Sequence, residues 1–96
     1  MNIGPDSRVK LSPHVHARNF DKDLVILDLA KGSYFGLDEL GAKLWEGLIQ
    51  GESPATVARK VAGDYDVDVA RIETDLVELT HELVVRGLVE AVATSA

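Results

Sequence analysis

Apolar and polar residues alternate along the first third of the chain. Residues 8–16 read R-V-K-L-S-P-H-V-H, so Val9 and Leu11 alternate with charged residues until Pro13 interrupts the pattern. Because proline has no N–H to donate, this segment is predicted to be a broken strand at an edge or bulge. Residues 24–29 (L-V-I-L-D-L) and 34–37 (Y-F-G-L) are predicted to be the two strands of a hairpin whose turn is A-K-G-S.

Alternation also predicts which side chains share a face of each hairpin strand. In the first strand, the side chains expected on one face are those of Val25, Leu27 and Leu29. Asp28 is expected on the other face, pointing to solvent. In the second strand, Phe35 and Leu37 share one face, which leaves Tyr34 and Gly36 on the other. Residues 18–23 are polar and are expected to form a connector.

Three helices are predicted after the hairpin, because apolar residues now recur at helical spacing between start and stop signals. The residues that cap their N-termini are Asp38, Ser53 (followed by Pro54) and Asp68, and the glycines near their C-termini are Gly51, Gly63 and Gly87. The third helix is expected to extend from Val69 to about Arg86, with an apolar stripe formed by Val69, Ile72, Leu76, Leu79 and Leu83. A short tail, residues 88–92, is expected to add a final strand.

This order of elements predicts a winged-helix-like α+β fold, in which a small antiparallel three-stranded sheet packs on a three-helix bundle. At 96 residues the chain is expected to form a single domain over residues 1–96, with its core at about residues 9–90. A brief strand at the edge of such a sheet leaves alternate N–H and C=O groups unpaired, and these can hold a second, extended chain. Residues 34–37 are therefore the candidate binding edge.

Composition narrows the classes of function. The net charge of −6 disfavours nucleic acid and anionic membranes as partners. The chain has no cysteine, which excludes disulfides and thiolate metal sites and suits a cytoplasmic location. Residues 1–8 lack the apolar core of a signal peptide, and no apolar run reaches the ~20 residues that span a bilayer.

The order of motifs resembles the PqqD family, the recognition elements that bind leader segments of ribosomally made, modified peptides. The motifs that carry the resemblance are L-V-I-L-D-L-A-K-G-S-Y-F-G-L-D (residues 24–38), G-A-K-L-W-E-G-L (41–48), Y-D-V-D (65–68) and D-L-V-E-L-T-H-E-L-V-V-R-G-L-V (75–89). Together they cover about residues 9–90.

The resemblance implies a peptide chaperone that presents a precursor to a modifying enzyme. It implies that the leader adds as a strand to residues 34–37 and packs against the third helix. The implied peptide-binding residues are Tyr34, Phe35, Gly36, Leu37, Ile72, Asp75, Leu76 and Leu79. The sequence of residues 34–45 is most similar to those of the stand-alone recognition proteins of lasso-peptide pathways. Their partner is a cysteine leader peptidase; a radical-SAM enzyme is the second choice of partner.

Other classes of function find less support in the sequence. His14 and His16 would share one face of a strand, but no third metal ligand is evident. His81 and Glu82 begin like a zinc-protease motif, yet Val85 occupies the position of the second histidine. No catalytic residues and no cofactor are expected. The chief alternative is DNA binding, which the fold type often hosts, although acidic residues outnumber basic ones on the third helix.

Overall fold

The computed structural model describes residues 3–92 and has the predicted order of strands followed by helices. Its elements are β1 (Arg8–Leu11), β2 (Val15–Phe20), β3 (Asp23–Asp28), β4 (Ser33–Leu37), α1 (Glu39–Ile49), α2 (Pro54–Tyr65), α3 (Val69–Val85) and β5 (Val89–Val92). This arrangement confirms the α+β class.

The strands form two antiparallel sheets. One has three strands in the order β2-β3-β4, and the other pairs β1 with β5. Pro13 lies between β1 and β2, so the predicted broken strand divides into two strands that belong to different sheets. The final strand predicted at residues 88–92 is β5, which joins the end of the described chain to β1.

The helices begin where the sequence predicts. The side chain of Asp38 accepts a hydrogen bond from the N–H of Gly41, Ser53 accepts one from Thr56, and Asp68 accepts one from Ala70. These bonds satisfy N–H groups that have no partner within the helix. Between the helices and the inner face of the three-stranded sheet lies the core, whose largest fully buried apolar side chains are those of Ile26, Leu48, Leu76, Leu83, Val9 and Val89.

The structure corrects the predicted faces of β3. Leu24, Ile26 and Asp28 point inward, whereas Leu29 is exposed, so the prediction that Asp28 points to solvent was wrong. Only 2% of Asp28 is exposed, and its carboxylate accepts hydrogen bonds from the N–H groups of Ala30 and Lys31 at 3.0 and 3.1 Å. These two bonds offset the cost of burying the charge.

One predicted boundary also moves. The expected polar connector at residues 18–23 is partly strand, because β2 continues to Phe20 and a tight turn at Asp21, whose φ is +58°, leads into β3. The second helix ends near Gly63, as expected: its last residue is Tyr65, and the following Asp66 adopts the left-handed conformation that commonly terminates helices.

Candidate functional site

The free edge of β4 is the candidate functional site, and the hydrogen-bond pattern shows which backbone groups it presents. The N–H of Leu29 donates to the carbonyl of His14 at 2.9 Å, on the β2 side. Because successive residues of a strand point their N–H and C=O groups to alternate sides, Leu24, Ile26 and Asp28 direct theirs toward β4. The carbonyl of Asp28 indeed accepts from Gly32 in the turn that leads to β4.

The register of the hairpin completes this assignment. Leu24 pairs with Leu37, Ile26 with Phe35 and Asp28 with Ser33. Ser33, Phe35 and Leu37 therefore use their N–H and C=O groups in the hairpin. Tyr34 and Gly36 direct theirs away from β3, and within residues 3–92 no further strand pairs with this edge. Two residues thus offer a row of unpaired donors and acceptors to an incoming strand.

Beside this edge β4 meets the C-terminal end of α3, and a small cavity there is lined by residues that include Ser33, Tyr34, Phe35, Arg86 and Leu88. Arg86, which caps α3, places its guanidinium 4.8 Å from the ring centroid of Phe35, a cation–π distance. Its Nε and a terminal nitrogen both lie 3.1 Å from an oxygen of Glu82. Leu79 and Asp75 precede Glu82 at helical spacing on the same flank. We call the surface formed by Phe35, Leu79, Glu82 and Arg86 the β4–α3 groove.

The predicted site residues occupy three depths around this groove. Tyr34 and Gly36 are exposed at the edge, and Asp75 is exposed on α3. Phe35, Leu37 and Leu79 are half-buried and pack against the core. Ile72 and Leu76 are 5% and 0% exposed, so they belong to the core and offer almost no surface to a ligand in this conformation. Their predicted contact with a peptide stays a prediction.

Sequence reasoning missed Arg86. Its position was identified only as the end of a helix before Gly87, although the spacing of Asp75, Leu79, Glu82 and Arg86 places all four on one flank of α3. The sequence alone does not show which flank of α3 lies toward β4.

Two packing features hold β4 in place at its ends. At its start, the Asp28 carboxylate binds the turn that precedes Ser33. At its end, Leu37 packs against the first turn of α1, where a Cβ added to Gly41 would lie only 3.1 Å from the Cβ of Leu37. The edge is therefore anchored on both sides, which lowers the entropy that a binding partner must remove.

Among residues 3–92, no group of three or more histidine, cysteine, aspartate or glutamate side chains is placed to hold a metal ion. The helices of this same part of the chain are each too short or too polar to cross a membrane. His14 is not part of a group of possible metal ligands among the described residues. Its Nε2 lies 3.7 Å from the buried carboxylate of Asp28.

Comparison with known proteins gives consistent similarities. Residues 23–89 match the family described as coenzyme PQQ synthesis protein D (PqqD). The solved structure of TbiB1 in complex with the TbiA(β) leader peptide is 33% identical, covering 88% of this chain and 99% of that one with a TM-score of 0.79. A lasso peptide synthetase B1 complexed with the leader peptide is 29% identical, covering 86% and 98% with a TM-score of 0.79. No curated protein sequence matches the chain.

Proposed function

The chain belongs to the PqqD family, and from this premise we propose that it binds the leader segment of a ribosomally made precursor peptide by adding it as a strand to β4. The observation that carries the proposal is the unpaired row formed by the N–H and C=O groups of Tyr34 and Gly36. The two similar structures, both complexes with leader peptides, support it.

Backbone pairing alone would accept many sequences, so side chains must supply the selectivity. Alternate residues of an added strand would project over the β4–α3 groove, toward Phe35 and Leu79. Burying ~300 Å² of apolar surface there contributes roughly 7 kcal/mol before the leader's ordering cost is subtracted. The net result is binding in the micromolar to sub-micromolar range.

The proposal extends to a partner enzyme, in the cytoplasm where precursors are made. A cysteine leader peptidase of a lasso-peptide pathway is the favoured partner, because one of the two similar structures is that of a lasso peptide synthetase B1. A radical-SAM enzyme is the second choice. We propose that the chain itself is not an enzyme and uses no cofactor. It raises the effective concentration of precursor at its partner, which for a short tether approaches millimolar.

The charge of α3 opposes the alternative of DNA binding. The charged residues of this helix and its caps are Asp68, Arg71, Glu73, Asp75, Glu78, Glu82 and Arg86. One of the two arginines, Arg86, is already paired with Glu82. A recognition helix with this balance would be repelled by phosphate.

A proline scan of both sheet edges tests strand addition. Gly36→Pro removes one outward N–H of β4, at the kind of edge position where proline is tolerated. We expect leader affinity to fall roughly tenfold, since a backbone hydrogen bond and close approach are lost together. The matched control is Ala17→Pro, which removes an outward N–H from β2, the opposite edge. It should leave leader affinity unchanged. Affinity is measured by calorimetric titration and folding by circular dichroism.

Equal leader affinity of the wild type and a folded Gly36→Pro variant would overturn strand addition at β4. The chaperone role needs a second measurement, a time course of precursor cleavage with each protein omitted in turn. Cleavage should be fast only when the chaperone and peptidase are both present at low precursor concentration, and the advantage should fade as precursor increases. Cleavage by this chain alone would contradict its proposed role.

A further inference from the structure

The face of the three-stranded sheet that points away from the helices carries a continuous set of apolar side chains. We call this surface the outer face; its apolar members are Phe20, Val25, Leu27, Leu29 and Tyr34. Cross-strand pairing holds them together, because Leu27 lies between His16 on β2 and Tyr34 on β4, and Val25 lies between Arg18 and Gly36.

Three of these side chains are largely exposed. Phe20 is 59% exposed, Leu29 is 61% and Tyr34 is 75%, while Val25 and Leu27 are half-buried between them. Gly36 adds no side chain, and a Cβ placed there would meet nothing within 4 Å, so the flank of Val25 stays open. Scattered exposed apolar residues need no explanation, but a contiguous patch on one sheet face marks an interaction surface.

Four of the five apolar members of the outer face, all but Tyr34, lie in the part of the chain that carries almost no net charge. Residues 32–96, which include all three helices, contain 12 acidic and 5 basic residues, a net charge of −7. Residues 1–31 contain 4 acidic and 5 basic residues, a net charge of +1. On the outer face itself, Arg18 lies beside Val25, and Asp23 stands at one corner opposite Phe20. An acidic partner would therefore be repelled by the helices and accepted by this face.

We infer that the outer face docks the processing enzyme, through an enzyme surface that has an apolar centre and acidic groups positioned to meet Arg18. This inference rests on the proposed function, because it assigns a surface to the partner which that function requires. A second copy of this chain is a poorer occupant, since two molecules of net charge −6 repel each other and would bring two Arg18 side chains to the same interface.

The geometry allows the leader and the enzyme to bind together. The β4–α3 groove lies on the inner side of the sheet, where Phe35 meets Arg86. Phe20 and Leu29 lie on the opposite side, Phe20 at the end of β2 and Leu29 just after β3. A leader strand added beside β4 covers neither of them. Apart from Tyr34, which belongs to both surfaces, the two occupants would use different side chains of the same sheet.

Serine substitutions at the two ends of the outer face test the inference. Phe20→Ser and Leu29→Ser should each reduce peptidase-dependent cleavage at low precursor concentration by roughly tenfold, as expected for apolar anchors of an interface. Leader affinity should stay within about twofold of wild type. The matched control is Val85→Ser, which removes an equally exposed apolar side chain (70%) from α3 rather than from the sheet. It should leave cleavage unchanged.

Reversing the charge of Arg18 provides an independent test of the docking surface. Arg18→Glu should weaken binding of the purified cysteine leader peptidase, measured by interferometry with the chaperone immobilised, whereas Arg59→Glu on the exposed surface of α2 should not. Wild-type cleavage rates for both serine variants would overturn the inference. So would a dimer in sedimentation experiments that Leu29→Ser converts to a monomer. If the wild type failed to bind leader but still bound peptidase in a Leu29-dependent way, the proposed function would fail and the docking surface would stand.

Discussion

Asp28 shows how one residue can control the position of a binding edge. Its carboxylate is buried and accepts hydrogen bonds from two successive N–H groups of the turn between β3 and β4. The same residue's carbonyl accepts a bond of 2.8 Å from Gly32, whose φ of +71° suits a glycine. One aspartate thus holds three successive turn residues, and the turn sets the register in which β4 begins.

Removing this carboxylate should loosen the hairpin. We expect Asp28→Ala to lower the free energy of unfolding by ~1–3 kcal/mol, the range for leaving buried hydrogen-bonding groups without partners. Urea denaturation measures the change. Asp75→Ala is the control, because Asp75 is an exposed carboxylate with no such bonds to a turn. A loss of equal size in both variants would show that Asp28 acts through overall charge.

Substitutions of Leu76 and Leu79 are expected to differ in their effect on stability more than in their effect on leader binding. Leu76 is fully buried, so Leu76→Ala should cost ~2–5 kcal/mol of stability and weaken leader binding through the loss of core packing. Leu79 is half-buried on the groove flank, so Leu79→Ala should cost less stability for a similar loss of affinity. Asp75→Ala should change affinity with the melting temperature nearly unchanged. Thermal melts and leader titrations of all three variants check this order.

At the scale of elements, the contact between α1 and α2 depends on a missing side chain. A Cβ at Gly47 would lie 2.6 Å from Cγ2 of Val57, so the helices approach as closely as they do because position 47 is glycine. We expect Gly47→Ala to destabilise the fold by ~1–3 kcal/mol through overpacking, and Val57→Ala to restore part of the loss when combined with it.

The contrasting control lies in the next helix. Gly63 is helical and exposed, and a Cβ there would meet nothing within 4 Å. Gly63→Ala should therefore stabilise the protein by ~0.5–1 kcal/mol, the ordinary helical penalty of glycine relative to alanine. Calorimetric melting of both single variants tests the pair. If both glycine substitutions stabilised the fold, the close approach at Val57 would be unimportant.

Elements that are determined by residues close together in the sequence were predictable, and those that depend on contacts between distant residues were not. Asp38, Ser53 and Asp68 cap the helices as expected, because a capping side chain binds an N–H only two or three residues away. The pairing of β1 with β5 joins residues near the two ends of the described chain, which no local pattern encodes. The hairpin itself was predictable, but the orientation of β3 was not.

The composition of β3 explains why the prediction of its buried face was wrong. The segment L-V-I-L-D-L has apolar residues on both faces, so alternation alone cannot select the inner one. The acidic residue suggested the solvent face, yet bonds to the turn make its burial favourable. The choice is made across the hairpin, where Ile26 pairs with Phe35 and both face the core. For the candidate site, the same reasoning correctly placed Phe35 and Leu37 inward and Tyr34 and Gly36 outward.

At the scale of the whole molecule, one small sheet separates three functions in space. Its inner face completes the core, its β4 edge is the proposed leader site, and its outer face is the inferred docking surface. Net charge is distributed unevenly along the chain, since residues 32–96, which hold the three helices, β4 and β5, carry −7 and residues 1–31 carry +1. On these two proposals, one small sheet would serve two partners through different surfaces.

The two edges of the sheet have one further consequence, which concerns self-assembly. In the part of the chain that the structure describes, β2 and β4 are each paired on one side only. If β4 of one molecule met β2 of another, the contact would be head to tail, and such contacts grow into open-ended fibres unless the rotation between molecules closes a ring. The net charge of −6 keeps molecules apart at neutral pH, but it vanishes near the isoelectric point of about 4.9.

We therefore expect light scattering to rise with time near pH 5 and leader peptide to suppress the rise by terminating growth at β4. Ala17→Pro should suppress it from the other end by removing an N–H of β2. Scattering that ignored both would show that association uses another surface. A leader bound at β4 would therefore block one end of each molecule, so leader binding would also keep the protein in solution.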